Sequence, residues 1–393
     1  WLKVIQLLKM LTTLRTRVHH PLAHGCSLGW LAKLPYARRH AIAPHTSAHS
    51  NVAWVKFGQP TPAMLFHHWT QTVDPDSFSK ELRIRLSRDA THLCELPHGW
   101  FAREPISDMI DSHHRFIDLL EECSCPNGAV GSRHLTDVLA DVSKHPSLNI
   151  VAVLRNIYEL AGEVKDNASM KQLNNLLRKI LTLRIGMRLM VNEYLQNRRG
   201  ARVGSPFGSR CCPYDLALAA ARDSRSLCRE SLGRTPGIKV TGDASATVTY
   251  IPAVLQYMLT EFFKNACRAV AEKHYEARHD EELPAIVCSI ETEFDGLCIT
   301  ISDEGCGMPK EVLERMWDFF YTTNRTSAWK NGEDDRAFRR SQGVLSGYGV
   351  GLPLSRMYAR YFGGDLVATS EPGQGTTVRL TINSSSSLYE VFP

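Results

Sequence analysis

Three absences narrow the class of protein that this sequence encodes. No stretch approaches the roughly eighteen apolar residues that a membrane span requires. The eleven cysteines are scattered, and the two close pairs, Cys123/Cys125 and Cys211/Cys212, lack the spacing of zinc ligands. Acidic residues are missing before Asp74. We therefore expect a protein without a membrane span, in a reducing compartment rather than secreted with disulfides.

The leader, defined here as residues 1–50, carries the net charge of the chain. It holds seven of the 46 Lys and Arg residues and no Asp or Glu, so the remaining 39 nearly balance the 41 acidic residues. Its start sets Leu, Ile and Val against Lys3, Lys9, Arg15 and Arg17. This pattern predicts a mitochondrial presequence, and a disordered basic arm is the alternative. Because the rest is near neutral, we expect no nucleic-acid partner.

The spacing of apolar residues divides the rest of the chain. Residues 51–75 lack a clear period and contain several prolines, and we interpret them as a linker. Helical spacing over residues 76–210 predicts a bundle of about four helices. Residues 211–383 begin with one helix and then mix strands with helices, which predicts an α/β sandwich with helices on one face of a sheet. Residues 384–393 form a serine-rich tail. The expected fold class is α+β.

Several elements within these domains are predicted individually. The predicted helices include 170–197 and 213–231, and the predicted hairpins join 285–293 to 297–302 and 365–370 to 376–382. One apolar stripe at helical spacing consists of Ile150, Leu154, Ile157, Ala161 and Val164.

One predicted helix carries the sequence EFFKNACRAV from Glu261 onward. Glu261 and Asn265 lie one turn apart on one face, and Lys264 and Arg268 repeat that spacing beside them. The apolar stripe expected to pack on the sheet is Leu255, Leu259, Phe262, Ala266 and Ala269. A solvated helix with charge pairs is the alternative to a functional role.

The stretch ISDEGCGMP ends a predicted strand with a carboxylate and continues into a glycine loop. Asp303 at the strand end could accept a hydrogen bond from an exocyclic amine such as that of adenine. Gly305 and Gly307, before Met308, would let the backbone pass close to a flat ring. By itself the pattern is also that of a simple turn.

A second glycine-rich stretch, SGYGVGLPLSRMYARYFGG, precedes a helix. It contains Gly347, Tyr348, Gly349, Val350, Gly351 and Leu352, followed by Pro353 in the first helical turn. Glycines before a helix N-terminus present N–H groups to an anion such as phosphate. The spacing matches neither the dinucleotide fingerprint nor a Walker loop.

The turn GQGTT, in which the Thr376 hydroxyl could meet a ligand, completes a set of four motifs. Each motif is weak alone. In their order of helix, strand end, glycine turn and hairpin, they resemble the ATP-binding (GHKL, or Bergerat) domain shared by gyrase-type ATPases, Hsp90, histidine kinases and MutL.

That resemblance implies a role for each motif. The Glu equivalent to Glu261 is a general base, and the Asn equivalent to Asn265 is a ligand of Mg²⁺. Asp303 would hold the adenine amine, and residues 347–352 would wrap the triphosphate. Residues 324–346 lie where these proteins have a mobile ATP lid. The remaining expected ATP contacts are Lys264, Arg268, Gly305, Gly307, Met308, Thr322, Thr323 and Thr376.

Longer matches point to one branch, and the resemblance covers about residues 80–383. This chain has EFFKNACRA and GYGVGLPLSRMYARYFGGDL where mitochondrial α-keto-acid dehydrogenase kinases have ELFKNAMRA and GFGYGLPxSRxYAxYFGGDL. The resemblance implies a matrix protein-serine kinase that uses ATP and Mg²⁺, and it admits K⁺ as a further ion. The kinase would phosphorylate the decarboxylase component of the complex. It would bind to the lipoyl-bearing transacylase component, and it would form a homodimer.

One departure bears on the substrate. Pyruvate dehydrogenase kinases carry a His one turn before the Glu, where this chain has Tyr257, as branched-chain kinases do. We therefore favour the branched-chain complex, with the pyruvate complex as alternative. A non-catalytic ATP-binding scaffold is a further alternative. A histidine kinase would need a phosphoacceptor His before an acidic residue, whereas His113 and His114 precede Arg115 and are expected on a helix surface.

Overall fold

A computed structural model describes residues 75–123, 135–198, 210–275, 281–294, 296–323 and 348–383. All of them belong to one compact unit, Phe57–Pro393. The predicted leader, almost all of the predicted linker, the predicted lid, Gly347 and the serine-rich tail lie outside the described residues. The domain boundaries therefore stay predictions.

The N-terminal part of the described chain is helical, as predicted. Its helices are α1 (Pro75–Cys94), α2 (Ile106–Cys123), α3 (Leu135–Lys144), α4 (Ile150–Ala161) and α5 (Asn167–Arg198), with 3₁₀ turns at Pro97–Ala102 and Pro146–Leu148. Helices α1, α2, α3 and α5 share one core, which contains Phe78, Phe116, Leu139 and Met190. This confirms the four-helix-bundle-like architecture. No helix in the described ranges is long and apolar enough to cross a bilayer.

Helix α4 is a fifth helix that packs outside this four-helix core. Its predicted stripe of Ile150, Leu154 and Ile157 is buried, but it belongs to the larger core that extends into the C-terminal part. Helix α4 therefore joins the bundle to the rest of the molecule.

The C-terminal part is built on one mixed sheet. Its helices are α6 (Pro213–Leu232), α7 (Pro252–Lys273), α8 (Lys310–Arg315) and α9 (Gly351–Tyr361), and its strands are β1 (Arg210–Cys211), β2 (Ile238–Gly242), β3 (Val248–Thr249), β4 (Ile286–Glu293), β5 (Gly296–Asp303), β6 (Asp365–Glu371) and β7 (Gly375–Asn383). The sheet order is β2-β4-β5-β7-β6, with β2 parallel to β4 and the other pairs antiparallel. Both predicted hairpins are confirmed.

Alternation along β4 shows which face of the sheet the helices cover. Ile286, Cys288 and Ile290 are buried, whereas Val287 and Glu291 are exposed. Residues two apart point to the same face, so one face packs against the helices and the other stays open. The sandwich prediction is confirmed. The short pair of β1 with β3 was not predicted in full, because β1 is only two residues long.

A fully buried charge cluster holds the helical bundle together. The Asp89 carboxylate contacts Nε2 of His113 at 2.6 Å and the Arg184 guanidinium at 2.8 Å, and Arg184 also donates to the Ser147 carbonyl. The expectation that His113 lies on a helix surface is wrong, because these polar partners compensate its burial. Burial raises the pKa of Asp89, but Arg184 and His113 outweigh it, and the pKa lies below its ordinary value.

We predict that Asp89→Asn lowers the free energy of unfolding by about 3 kcal/mol at neutral pH, because it leaves Arg184 buried without its counter-charge. A depressed carboxyl pKa contributes stability that is complete above the ordinary value and is lost as the pH falls through the folded value. The difference from wild type should therefore shrink below about pH 4. Urea unfolding across pH measures it. The control is Asp118→Asn, an exposed carboxylate on α2; equal stabilities of the two variants at every pH would contradict the prediction.

Candidate active site

Helix α7 places a buried carboxylate beside an exposed amide. Pro252 lies in its first turn, a position that suits proline, and the stripe of Leu255 and Leu259 is buried against the sheet. Glu261 is only 9% exposed, whereas Asn265, one turn later, is exposed. A simple solvated helix face does not describe Glu261, since a carboxylate is rarely buried without a partner.

The partner of Glu261 is Lys264. Nζ of Lys264 donates to Oε1 of Glu261 at 2.6 Å. The second carboxylate oxygen, Oε2, lies against the backbone of Gly351 at the start of α9, so closely that a Cβ on Gly351 would clash with it. A side chain at residue 351 would therefore force the Glu261 carboxylate to move, and this carboxylate lies beside a helix N-terminus. Among the described residues, no side chain caps this end of α9.

Asp303 ends β5, as predicted, and is held by backbone donors. The Gly305 N–H donates to Oδ1 at 2.8 Å, and Asp303 pairs with Thr376 across β5 and β7. Burial raises the pKa of Asp303 above its usual value, against the opposing effect of the Gly305 and Thr376 N–H groups and the Lys273 ammonium. Thr376 supports Asp303 through its backbone, while its hydroxyl bonds Ser370 at 2.9 Å.

The loop after Asp303 is wedged between α7 and the β6–β7 turn. Gly307 has a φ of +63°, and a Cβ there would clash with the Glu371 carbonyl, so only glycine fits. The Met308 N–H donates to Ser370 Oγ at 2.8 Å. Ala269, expected in the buried stripe of α7, is only partly buried, and its carbonyl accepts the Cys306 N–H of this loop.

Lys273 is a site residue that the sequence analysis missed. Its ammonium donates to the Glu304 carbonyl at 3.0 Å and to the Gly373 carbonyl at 2.9 Å, which ties the loop to the turn. Its position one turn after Ala269, on the face toward the loop, was the available signal.

The described part of the second glycine turn begins at Tyr348. Gly349 has a φ of +67°, and a Cβ there would clash with the Tyr321 carbonyl. The Gly349 carbonyl accepts the Phe320 N–H at 3.0 Å. Val350 is buried, and Leu352 packs against the core at its edge. The turn is thus fixed against the segment before residue 324.

Three residues predicted to contact ATP lie away from the Glu261 and Asp303 carboxylates. Arg268 donates to Glu272 at 2.6 Å in a surface pair on α7. Thr322 and Thr323 line a cavity of about 560 Å³ together with Met170 of α5. Their contact with a nucleotide stays a prediction.

The assembled groups fit a nucleotide with its magnesium ion. Glycines 305 and 307 let the loop lie directly against Ala269 and the Glu371 carbonyl, and the Asp303 carboxylate beside the loop offers an acceptor. The Asn265 amide oxygen is a ligand that Mg²⁺ accepts, and Mg²⁺ in such sites takes few protein ligands beside phosphate oxygens.

Two family models match separate parts of the chain. A family model described as histidine kinase-, DNA gyrase B-, and HSP90-like ATPase matches residues 251–386. A second, described as mitochondrial branched-chain alpha-ketoacid dehydrogenase kinase, matches residues 66–202.

Similar curated proteins are mitochondrial kinases. The chain is 27% identical over 317 residues to the pyruvate dehydrogenase (acetyl-transferring) kinase of Arabidopsis thaliana, covering 80% of this chain and 85% of that protein. It is 27% identical over 312 residues to isozyme 4 of the Homo sapiens kinase, covering 76% and 70%. A probable kinase of the same name from Caenorhabditis elegans is 29% identical over 75% of this chain and 74% of its own length.

We predict that Gly351→Ala lowers kcat/KM for ATP-dependent phosphotransfer at least about tenfold, because the new Cβ displaces the Glu261 carboxylate by steric overlap. Steady-state kinetics with a thermal melt would test this. The matched control is Gly162→Ala, since Gly162 has an ordinary helical φ and open space around it. Wild-type kinetics in Gly351→Ala would show that the Glu261 position does not matter.

Proposed function

Because this chain belongs to the family of mitochondrial α-ketoacid dehydrogenase kinases, with a GHKL ATP-binding domain, we propose that it phosphorylates a serine of the decarboxylase component of such a complex and thereby inactivates it. It is a mitochondrial, ATP-dependent protein kinase. The observation that carries the proposal is the buried Glu261 carboxylate at the start of α9, with Lys264 on one oxygen and the glycine turn against the other.

Glu261 acts as the general base in this proposal. The serine Oγ forms a bond to the γ-phosphorus, the bond from that phosphorus to the β–γ bridging oxygen breaks, and the serine proton goes to Glu261. Lys264 orients the carboxylate through Oε1 and leaves Oε2 to accept the proton. Correct placement matters because phosphoryl transfer depends mainly on positioning and electrostatics.

Other residues bind the nucleotide. Asp303 accepts the adenine amine, and the Gly305–Met308 loop passes along the ring. The N–H groups at the start of α9 face the phosphates. Mg²⁺, held by Asn265, would neutralise phosphate charge when bound. Arg268, Thr322, Thr323, Thr376 and a K⁺ ion remain expected from the family resemblance alone.

Two dehydrogenase complexes are candidate substrates. The curated relatives are named pyruvate dehydrogenase kinases, which favours the pyruvate complex over the branched-chain preference drawn from the sequence. Tyr257 and the family model over residues 66–202 favour the branched-chain complex. Burial and the Glu261 carboxylate raise the pKa of Tyr257 well above its ordinary value, so this neighbour of the base is a neutral phenol. Docking on the lipoyl-bearing component and a homodimer belong to the same proposal.

An assay of phosphate transfer from ATP would show which of the two complexes is the substrate. We expect the full chain with MgATP to label the decarboxylase component of one purified complex, pyruvate or branched-chain, and to reduce that complex's activity in parallel. Asn265→Ala should abolish labelling, because it removes the protein ligand of Mg²⁺. Binding of ATP without labelling of either complex would instead support a non-catalytic scaffold.

The general-base role has its own test. Glu261→Gln keeps the shape of the side chain but removes the proton acceptor, so kcat should fall about 10²- to 10⁴-fold. The affinity for MgATP, measured by calorimetric titration, should stay within about threefold of wild type, since the change acts on the transition state. Full phosphotransfer by a Glu261→Gln protein would exclude Glu261 as the base.

A further inference from the structure

The glycine turn before α9 rests on the segment Trp317–Tyr321. The Phe320 N–H donates to the Gly349 carbonyl at 3.0 Å, and the Tyr321 carbonyl lies where a Cβ of Gly349 would be. Because Gly351 follows two residues later against the Glu261 carboxylate, displacement of this segment would carry the turn with it.

The segment is held from the helical part of the molecule. Oδ1 of Asn174, on α5, accepts the Phe319 N–H at 2.6 Å, and Nδ2 of the same amide donates to the Met170 carbonyl at 3.1 Å. Asn174 is 1% exposed and Phe319 is equally buried. A buried N–H needs an acceptor, and here the acceptor comes from a residue 145 positions away in the chain. Arg178, one turn later, donates to the Trp317 carbonyl at 3.3 Å.

Aromatic contacts from α4 enclose the same segment. The Tyr158 ring packs edge-on against Phe320, with centroids 5.5 Å apart, and against Tyr348 of the glycine turn, at 4.7 Å. One side chain thus contacts the segment and the turn together.

The backbone of Phe320 shows how tightly the segment is constrained. Its φ is +68°, in the left-handed region that bulky residues rarely adopt. Such a conformation persists only where the surroundings impose it. The bonds that Arg178, Asn174 and Gly349 make at Trp317, Phe319 and Phe320, respectively, supply that constraint.

We propose that Asn174 is a positioning residue for the nucleotide site. It fixes Phe319, Phe319 fixes Phe320, and Phe320 holds the glycine turn in the geometry that binds the phosphates. This inference rests on the proposed function for the identity of the ligand. Its consequence is that a side chain of the helical domain sets the ATP affinity of the other domain.

The test compares two asparagines of α5 in the full chain. Asn174→Ala should raise the Kd for MgATP about tenfold, because the Phe319 N–H loses its acceptor and the turn shifts. The kcat at saturating MgATP should stay within about threefold, since lost ground-state binding raises KM and not the chemical barrier. Asn167→Ala is the matched control, because Asn167 lies on the same helix and is exposed. It should leave the Kd unchanged.

A conservative substitution at residue 174 distinguishes a positioning role of Asn174 from a general effect on protein stability. Asn174→Gln keeps the carboxamide, whose oxygen accepts a hydrogen bond and whose nitrogen donates one, and it should give a smaller rise in Kd than Asn174→Ala. If Asn174→Ala does not fold, Tyr158→Leu carries the test, because it removes the shared aromatic contact and should raise the Kd at least threefold.

Three outcomes would overturn the proposal. These are a lower melting temperature of Asn174→Ala with a wild-type Kd, an equal Kd shift in Asn167→Ala, and a wild-type Kd in Tyr158→Leu. Failure of the proposed function would appear differently, as a wild-type chain that does not bind MgATP at all.

Discussion

Helix α5 is the element on which both halves of the molecule are built. Its 32 residues span about 48 Å. Toward its start, Leu173 and Leu177 belong to the core beneath the sheet, and further along Met187 and Met190 belong to the core of the bundle. Displacing one half relative to the other would expose this apolar surface, at about 25 cal/mol per Å². The helix is therefore a rigid connection between the two parts.

The same helix also carries the polar groups that give the connection its geometry. Arg184 points into the bundle toward Asp89, and Asn174 points toward the backbone of Phe319. Hydrophobic burial has no preferred direction, whereas buried hydrogen bonds specify distance and angle. The bond from Asn174 links the helical part to the segment on which the glycine turn rests.

Buried charge serves two purposes in this structure. The Asp89 carboxylate is enclosed by Arg184 and His113, so its interactions stabilise the helical bundle. The Glu261 carboxylate has Lys264 on one oxygen only, and its other oxygen lies at the beginning of a helix. The first arrangement pairs its carboxylate with two basic side chains, and the second leaves one oxygen beside a helix start.

The motifs of the site are individually weak, and topology makes them a site. Strand β5 ends at Asp303 beside β7, which brings Thr376 and the Ser370 hydroxyl to the same corner. The start of α9 meets the middle of α7 at Gly351 and Glu261. Because the four motifs lie on different elements, only the packing of those elements brings them together.

Local sequence patterns determined most of the elements. Apolar spacing predicted α5 and α6 to within a few residues, and period-two alternation predicted the hairpins β4–β5 and β6–β7. These patterns depend only on residues a few positions apart, so they can be recognised directly in the sequence. The types of residue expected at the site, from Glu261 to Gly351, were also evident from the sequence.

Tertiary structure alone decided which residues that are far apart in the chain come into contact. No local signature exists for the burial of His113, for the pairing of β1 with β3, or for the bond from Asn174 to Phe319. Each depends on which surfaces remain after the helices and the sheet have packed, because a polar group is buried only where a distant partner satisfies it. The sequence by itself therefore determined the elements and the chemistry they carry, and the fold decided which of those groups meet.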